Sequence, residues 1–546
     1  MTQNGTAEDA PDAESSKDDE VPSEVEKSPS SGKKREVKGF ATVKAAQTTM
    51  LQAQMIDVEV DILRGLHSFT VVGLAGKAVD ESRDRVSAAI KNASFETPKK
   101  KNQKVVIALA PADIRKSGPV FDLAIAICYL LADDQISGKV NDTVFLGELS
   151  LDGRLRPING VLPLARHAKD CDFKNVIVPK DNAEEAALID GIDVLAAETL
   201  VEVIDHVDQE TDFRISPQPK TEIEVKKGEF TTDFADIRGN EVAKRGLEIA
   251  AAGGHNILLF GPPGTGKTML ARAFTSILPP LSADQRLEVT SIHSAAGETD
   301  EVLLTHPPFR APHHTASYVA VVGGGTIPKP GEVTLAHRGV LFLDEFPEFS
   351  RQVIEALRQP LEDRLVRITR SRAKAEFPAN FTLLAAMNPC PCGNFGSDGK
   401  ECICSPQARE KYKKKISGPI LDRIDMWIEV AEVDHEKLAN KHEGEESERV
   451  KERVGQARER QAKRFIDGAA STNSDMSAAD IDTHINLDTT TKKLLTQSAQ
   501  KLGLSARGHH KAVKLARTIA DLDGSEKIGE EHLLEALQYR PKSWSA

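Results

Sequence analysis

Aromatic side chains are scarce in this sequence: its 546 residues contain four Tyr, two Trp and 19 Phe. A protein that grips single strands mainly by stacking bases on rings needs more of them. Cysteine is scarce too. Six in the whole chain are too few for a disulfide scaffold at this size. Long hydrophobic runs are missing, and the longest, around Phe121–Ala132, is far short of the roughly 20 residues that a membrane span requires. The first residues are polar and acidic, so no secretory signal is expected. Positive charge is not in excess either: 71 basic against 83 acidic residues give a net charge of −12. That excludes a generally basic nucleic-acid coat but leaves room for a local basic patch. What is present is ordinary globular composition, 40% hydrophobic and 28% charged,. At about 150 residues per domain, the length suggests three or four domains. A soluble, cytoplasmic, multidomain protein is expected, with no membrane partner.

Residues 1–37 are rich in Ser, Asp, Glu, Lys and Pro. Such a stretch cannot bury enough surface to offset its chain entropy and reads as a disordered acidic tail. Ile56, Val58, Val60 and Ile62 alternate with acidic residues, as in a strand with one buried face,. Ser68–Gly73 reads as a second strand, Val79–Asn92 as a helix, Val105–Ala110 as a buried strand and Phe121–Ala132 as a buried helix. Together they predict a mixed α/β domain over 38–207. Residues 208–232 are polar and read as a linker,. A second α/β domain is expected over 233–433, and a charged, helix-prone region over 434–546.

Ile257–Phe260 is an apolar strand that runs into Gly261-Pro262-Pro263-Gly264-Thr265-Gly266-Lys267-Thr268, with a helix-like segment behind it. This is a complete phosphate-binding loop in the strand–loop–helix context that the motif needs. Its glycines let successive backbone N–H groups turn toward phosphates, and the helix N-terminus adds its positive end. Lys267 is expected on the β/γ-phosphates of ATP, with the Thr268 hydroxyl on Mg²⁺. About 75 residues later, the apolar Val340–Leu343 ends in Asp344 and Glu345. Asp344 suits Mg²⁺, and Glu345 suits the attacking water. A third apolar strand, Thr382–Met387, ends in Asn388, which either holds that water near the γ-phosphate or shapes the turn before Pro389,.

These three elements together resemble an AAA+ ATPase. The intervening His306-Pro-Pro-Phe-Arg-Ala-Pro-His-His-Thr315, Gly323-Gly-Gly and Pro330-Gly-Glu-Val-Thr-Leu-Ala-His-Arg-Gly339 narrow the resemblance to the magnesium-chelatase-like YifB/ComM family, over about residues 38–542. The resemblance implies a homo-oligomeric ring, hexameric in this reading, with ATP held between subunits. Arg423, in Ser417-Gly-Pro-Ile-Leu-Asp-Arg-Ile-Asp425, matches the finger that reaches a neighbour's γ-phosphate. A structural pair with Asp422 or Asp425 is the alternative. Arg507 matches the second sensor arginine at the start of a lid helix. Residues 40–207 resemble the proteolytic domain of Lon, most closely at Phe145–Gly160 and Val176–Asn182. Where Lon has its serine, after a Gly-Pro pair, Val120 follows Gly118-Pro119; where it has its lysine, Leu162 follows Asn159-Gly160-Val161. Valine and leucine supply neither nucleophile nor base, so a scaffold rather than a protease is expected. Adjacent Lys116 and Ser117 do not suit a dyad. The expected fold is therefore α/β: a Lon-protease-like N-terminal domain, an AAA+ phosphate-loop domain with a parallel sheet, and a C-terminal helical lid.

Three further segments carry chemistry. Cys390, Cys392, Cys402 and Cys404 have the ligand count of a closed Zn²⁺ site,; reduced thiols and a redox pair are the alternatives. His306, His313 and His314 lie in a proline-stiffened loop without interleaved carboxylates, where packing or loop hydrogen bonds are expected. The run from Arg364 to Phe377 alternates apolar and basic residues around Ser371 and predicts a hairpin,. Related rings point this hairpin into the pore, so Arg370, Arg372 and Lys374 are candidate DNA contacts, unless the hairpin is merely a solvated surface. Lys411–Lys415 is a second basic run, read as a solvated helix face. The resulting expectation is a ring ATPase that remodels DNA, by branch migration in recombination or natural transformation. A magnesium-chelatase motor subunit and an ATP-controlled regulatory scaffold are the alternatives.

Overall fold

Alternation sets the first sheet. In the strand Gln52–Arg64, Ile56, Val58 and Val60 are fully buried while the acidic residues between them stay partly accessible. This strand pairs antiparallel with Phe40–Thr49 across a two-residue turn at Met50 and Leu51, where Met50 takes a left-handed φ of 64°. The computed structural model describes residues 39–74, 76–116, 118–221, 232–298, 301–325, 328–370, 373–396, 400–432, 444–466 and 470–540. The tail over 1–37, Ser117, Arg372 and the side chain of Arg370 lie outside the described residues.

The first sheet has seven strands, in the order Ser68–Val72, Gln103–Ala110, Gln52–Arg64, Phe40–Thr49, Thr143–Phe145, Asn175–Pro179 and Asp193–Ala197. It is mixed: the pairs of Gln52–Arg64 are antiparallel and the rest parallel. The helix Asp122–Ala132, apolar all round, is buried along almost its whole length, as expected of a core helix,. Part of the stretch read as a linker straps this sheet: Gln218 donates to the Val194 carbonyl at 2.7 Å, and Gln209 to the Ser137 carbonyl at 2.7 Å.

The second sheet has five parallel strands, in the order Phe309–Arg310, Val340–Leu343, Thr382–Met387, Ile257–Phe260 and Met426–Glu429. Its middle strands are buried on both faces, which is why they read as unbroken apolar runs,. The strand that comes first in the chain lies between the last two, so the strand order reverses beside it. In open parallel sheets that reversal opens a crevice at the carboxyl ends of the strands. The phosphate loop, Asp344 and Asn388 all follow carboxyl ends of neighbouring strands.

After Ser350 the chain forms two short helices, Arg351–Ala356 and Arg358–Asp363. Pro360 lacks the N–H that would bond back to Ala356. The C-terminal helices Ser447–Arg464, Ala506–Leu522 and Glu530–Gln538 share one hydrophobic core with the second sheet. The two sheets are joined where the helix Val161–Asp170 meets the helix Ala283–Ala296: the Gly160 N–H donates to Ser294 Oγ at 3.1 Å, and Leu287 packs on the first core. Among the described residues no helix is long and apolar enough to cross a membrane.

Candidate nucleotide site and cysteine cluster

Gly264 and Gly266 hold φ near +80° and +88°, a region that L side chains rarely adopt,. They let the loop wrap over the N-terminus of the helix Lys267–Phe274. The Lys267 ammonium lies inside that loop, donating to the Gly261 carbonyl at 2.9 Å and the Pro262 carbonyl at 2.7 Å. It also donates to Asn388 Oδ1 at 3.2 Å. Burial holds this lysine below its ordinary pKa, and Asp344 partly offsets the shift. A phosphate entering the loop replaces neutral carbonyls with full negative charge and favours the ammonium.

Thr268 Oγ1 donates to Asp344 Oδ2 at 2.8 Å. A hydroxyl and a carboxylate side by side are the hard oxygen donors that Mg²⁺ prefers, so this pair fits the ion. The next residue, Glu345, sits at φ 50°, and its N–H donates to Asp344 Oδ1 at 2.9 Å. Its carboxylate is engaged elsewhere, with Oε2 3.0 Å from His314 Nδ1. His314 in turn lies edge-on to Phe349 and against His313. The proline-stiffened histidine loop therefore reaches the turn after Val340–Leu343, a contact that no local spacing signals. Arg310 in the same loop pairs with Glu332 at 2.5 Å, joining two of the segments that carry the family resemblance.

Arg423 and Arg507 are brought together on one residue. Arg423 Nη2 lies 2.5 Å from Glu362 Oε2, and Arg507 Nη2 lies 2.5 Å from Glu362 Oε1. Arg423 also donates to the Pro419 carbonyl and is only 8% exposed in the single chain. Glu362, at the end of a short helix, belongs to no motif, and sequence reasoning missed it. Neither expected partner of Arg423 is used. Asp425 instead lies 2.8 Å from Lys511 Nζ and accepts the Asn256 N–H at 2.9 Å. Arg507 is the second residue of the helix Ala506–Leu522, which Ser505 caps through the Gly508 N–H.

The four cysteines of the insert converge. Their sulfurs all lie within 4.8 Å of one another. Cys390–Cys392, Cys390–Cys402 and Cys392–Cys402 are separated by 3.4, 3.6 and 3.7 Å. Tetrahedral thiolates at about 2.3 Å from a Zn²⁺ ion would stand about 3.8 Å apart, so the set fits that ion. Backbone donation around Asn394 brings the Cys392 thiol down to about 6.

The basic run forms the hairpin Leu365–Arg370 and Ala373–Pro378, in which Arg370 pairs with Ala373. Val366, Ile368, Ala375 and Phe377 are buried on one face. On the other, Arg367 is neutralised by Glu376 at 2.9 Å, whereas Lys374 near the tip is exposed. In the first domain, Val120 and Leu162 are buried. Lys116 is fully buried too, donates to the Pro111 carbonyl, and has its pKa lowered by that burial.

Comparison with known proteins agrees with this geometry. The family model "Magnesium chelatase, subunit ChlI" matches residues 233–438, "Subunit ChlI of Mg-chelatase" matches 58–182, and "Magnesium chelatase, subunit ChlI C-terminal" matches 444–540. Competence protein ComM of Haemophilus influenzae is 42% identical over 505 residues, 92% of this chain and 97% of that protein. The YifB protein of Escherichia coli is 43% identical over 493 residues, 90% of this chain and 95% of that protein. Lon protease 2 of Bacillus subtilis is 30% identical over 169 residues, 28% of this chain and 30% of that protein. With relatives of this identity matched along nine-tenths of its length, the chain belongs to the YifB/ComM family of magnesium-chelatase-like AAA+ ATPases.

Proposed function

We propose that this protein hydrolyses ATP in a homo-oligomeric ring, hexameric in this reading, and uses the turnover to move DNA, as in branch migration during recombination or natural transformation. The observation that carries the ATPase reading is the convergence of Lys267 on Asn388 and of Thr268 on Asp344 at adjacent strand ends. Lys267 binds the β/γ-phosphates. Thr268 and Asp344 would hold Mg²⁺, which would supply positive charge beside the transferring phosphoryl group,. Glu345 orients the attacking water once His314 releases its carboxylate, and Asn388 holds that water from the other side. Arg423 and Arg507 share Glu362; in this reading they exchange that carboxylate for a neighbouring subunit's nucleotide when the ring assembles, where a cation stabilises the transition-state charge,.

The competence name of the Haemophilus influenzae relative supports the DNA reading. Lys374, exposed near the hairpin tip, together with Arg370 and Arg372 close to it in sequence, would engage phosphates irrespective of base sequence. A ring repeats each charge, so an acidic chain still has a basic pore. The first domain, with Val120 and Leu162 in the dyad positions, serves as a scaffold and not as a protease. The four cysteines hold one structural Zn²⁺ in a closed thiolate shell. ATP turnover measured in turn with single strands, duplexes, four-way junctions and protein substrates tests this reading. Stimulation by DNA, greatest with junctions, is expected; stimulation by unfolded protein alone would overturn it. Two readings remain as alternatives: a magnesium-chelatase motor, favoured by the family models, and an ATP-controlled scaffold. The motor would be stimulated by its metallation partner and not by DNA, and the scaffold would bind ATP without turnover.

A further inference from the structure

The cysteine cluster is built into the nucleotide site. Cys390 follows Asn388 with only Pro389 between them. Gly393, at φ +82° and bonded through its N–H to the Cys390 carbonyl at 3.0 Å, lies against Pro263 of the phosphate loop. The approach is so close that a Cβ on Gly393 would stand 2.6 Å from Pro263 Cδ. The other end of the cluster is anchored as well. Cys404 is followed by Ser405, which caps the helix Pro406–Lys413 through the Ala408 N–H at 3.2 Å. On that helix Arg409 stacks over Phe395 of the insert at 4.2 Å, and buried Tyr412 faces the backbone of Asn388. Just beyond it, Lys415 pairs at 2.7 Å with Glu348, in the turn that begins at Glu345. The insert therefore touches the phosphate loop and continues from the Asn388 strand end, and the segment after its following helix reaches the turn that begins at Glu345. Its described residues form no helix or strand, so between these anchors a bound metal is the natural cross-link for the four cysteines.

We infer that a soft divalent metal held by Cys390, Cys392, Cys402 and Cys404 braces Asn388 and the phosphate loop in register, so that metal occupancy sets the rate of ATP hydrolysis and not the affinity for ATP. The inference rests on the zinc reading above and adds the coupling. Losing the brace shifts Asn388 relative to Lys267 without removing any group that binds phosphate. Misplacement of an orienting group by about 1 Å costs on the order of 100-fold in rate.

The test uses the full-length protein. Bound metal is measured per chain as purified, then stripped by chelation under reducing conditions, then restored with Zn²⁺ alone. At each stage the binding of a fluorescent ATP analogue and single-turnover hydrolysis at saturating ATP are measured. About one zinc per chain is expected. Stripping should slow hydrolysis roughly 10- to 100-fold, leave analogue affinity within a few-fold, and be reversed by Zn²⁺. A Gly393→Ala variant should keep its zinc and bind the analogue, yet hydrolyse more slowly, because the new methyl pushes on Pro263. Absence of metal in protein never exposed to chelator would overturn the zinc reading and the inference with it. Bound metal whose removal leaves hydrolysis unchanged would overturn the coupling alone. So would loss of analogue binding on stripping, since the metal would then hold the site together rather than tune it, and so would a Gly393→Ala protein with the parental rate.

Discussion

Two carboxylates on consecutive residues do different work at the nucleotide site. Asp344 accepts from Thr268 and belongs to the metal, whereas Glu345 is turned toward His314. Glu345→Gln is expected to bind ATP as the parent does and to hydrolyse it about 10²–10⁴-fold more slowly, the usual contribution of a positioned general base; paired binding and single-turnover assays check both halves. His314→Ala should act in the opposite direction. Its contact with Glu345 is partly exposed, with side-chain exposures of 30% and 54%, and such pairs contribute about 0.2–1 kcal/mol. Freeing Glu345 should raise the basal ATPase rate by at most about five-fold, and a rate that falls would show that His314 positions Glu345 productively. The placement of Lys267, Asp344, Glu345 and Asn388 is legible in the sequence, because each belongs to a contiguous motif that begins at the end of an apolar strand. That of Glu362 and His314 is not. Arg507 lies 145 positions from Glu362, and Glu345 lies 31 from His314, and only the fold brings them together.

At the scale of elements, length decided what could be read. The strands Ile257–Phe260, Val340–Leu343 and Thr382–Met387 declare themselves because their neighbours are motif residues. Phe309–Arg310 has two residues and Met426–Glu429 four, too few to show a period. The junction between the last strand and the lid is held by Asp425, which lies beside Lys511 of the helix Ala506–Leu522 and accepts the N–H that precedes Ile257. Burial alone would raise the Asp425 carboxyl, but Lys511, His255 and the Asn256 N–H together bring it down to about 2. Because this folded-state value lies below the ordinary 3.8, the contribution to stability is fully present above that pH. It is lost as pH falls toward about 2. Asp425→Asn leaves the Lys511 charge buried and unpaired, which costs about 3–5 kcal/mol. Denaturant titrations near neutral pH should show a lower unfolding midpoint for the lid and second sheet. Between pH 4 and 2 the gap between variant and parent should narrow; a gap that stays constant would contradict the assigned role.

For the whole molecule, the central claim is that hydrolysis needs two chains. Lys267 and its partners gather at one end of the second sheet, while Arg423 and Arg507 gather on Glu362. If these are the two halves of a site shared between subunits, Arg423→Ala leaves the phosphate loop intact. It should bind ATP almost normally and lose on the order of 10³–10⁵ in rate, the usual contribution of an arginine finger. Lys267→Ala should fail at the binding step. The most direct measurement is the ATPase rate of mixtures of these two inactive proteins, with mixed assembly shown independently. Some interfaces in mixed rings pair an intact loop with an intact arginine, so activity should return and peak at intermediate ratios. If mixed rings form and no ratio restores hydrolysis, Arg423 does not act on a neighbour's nucleotide.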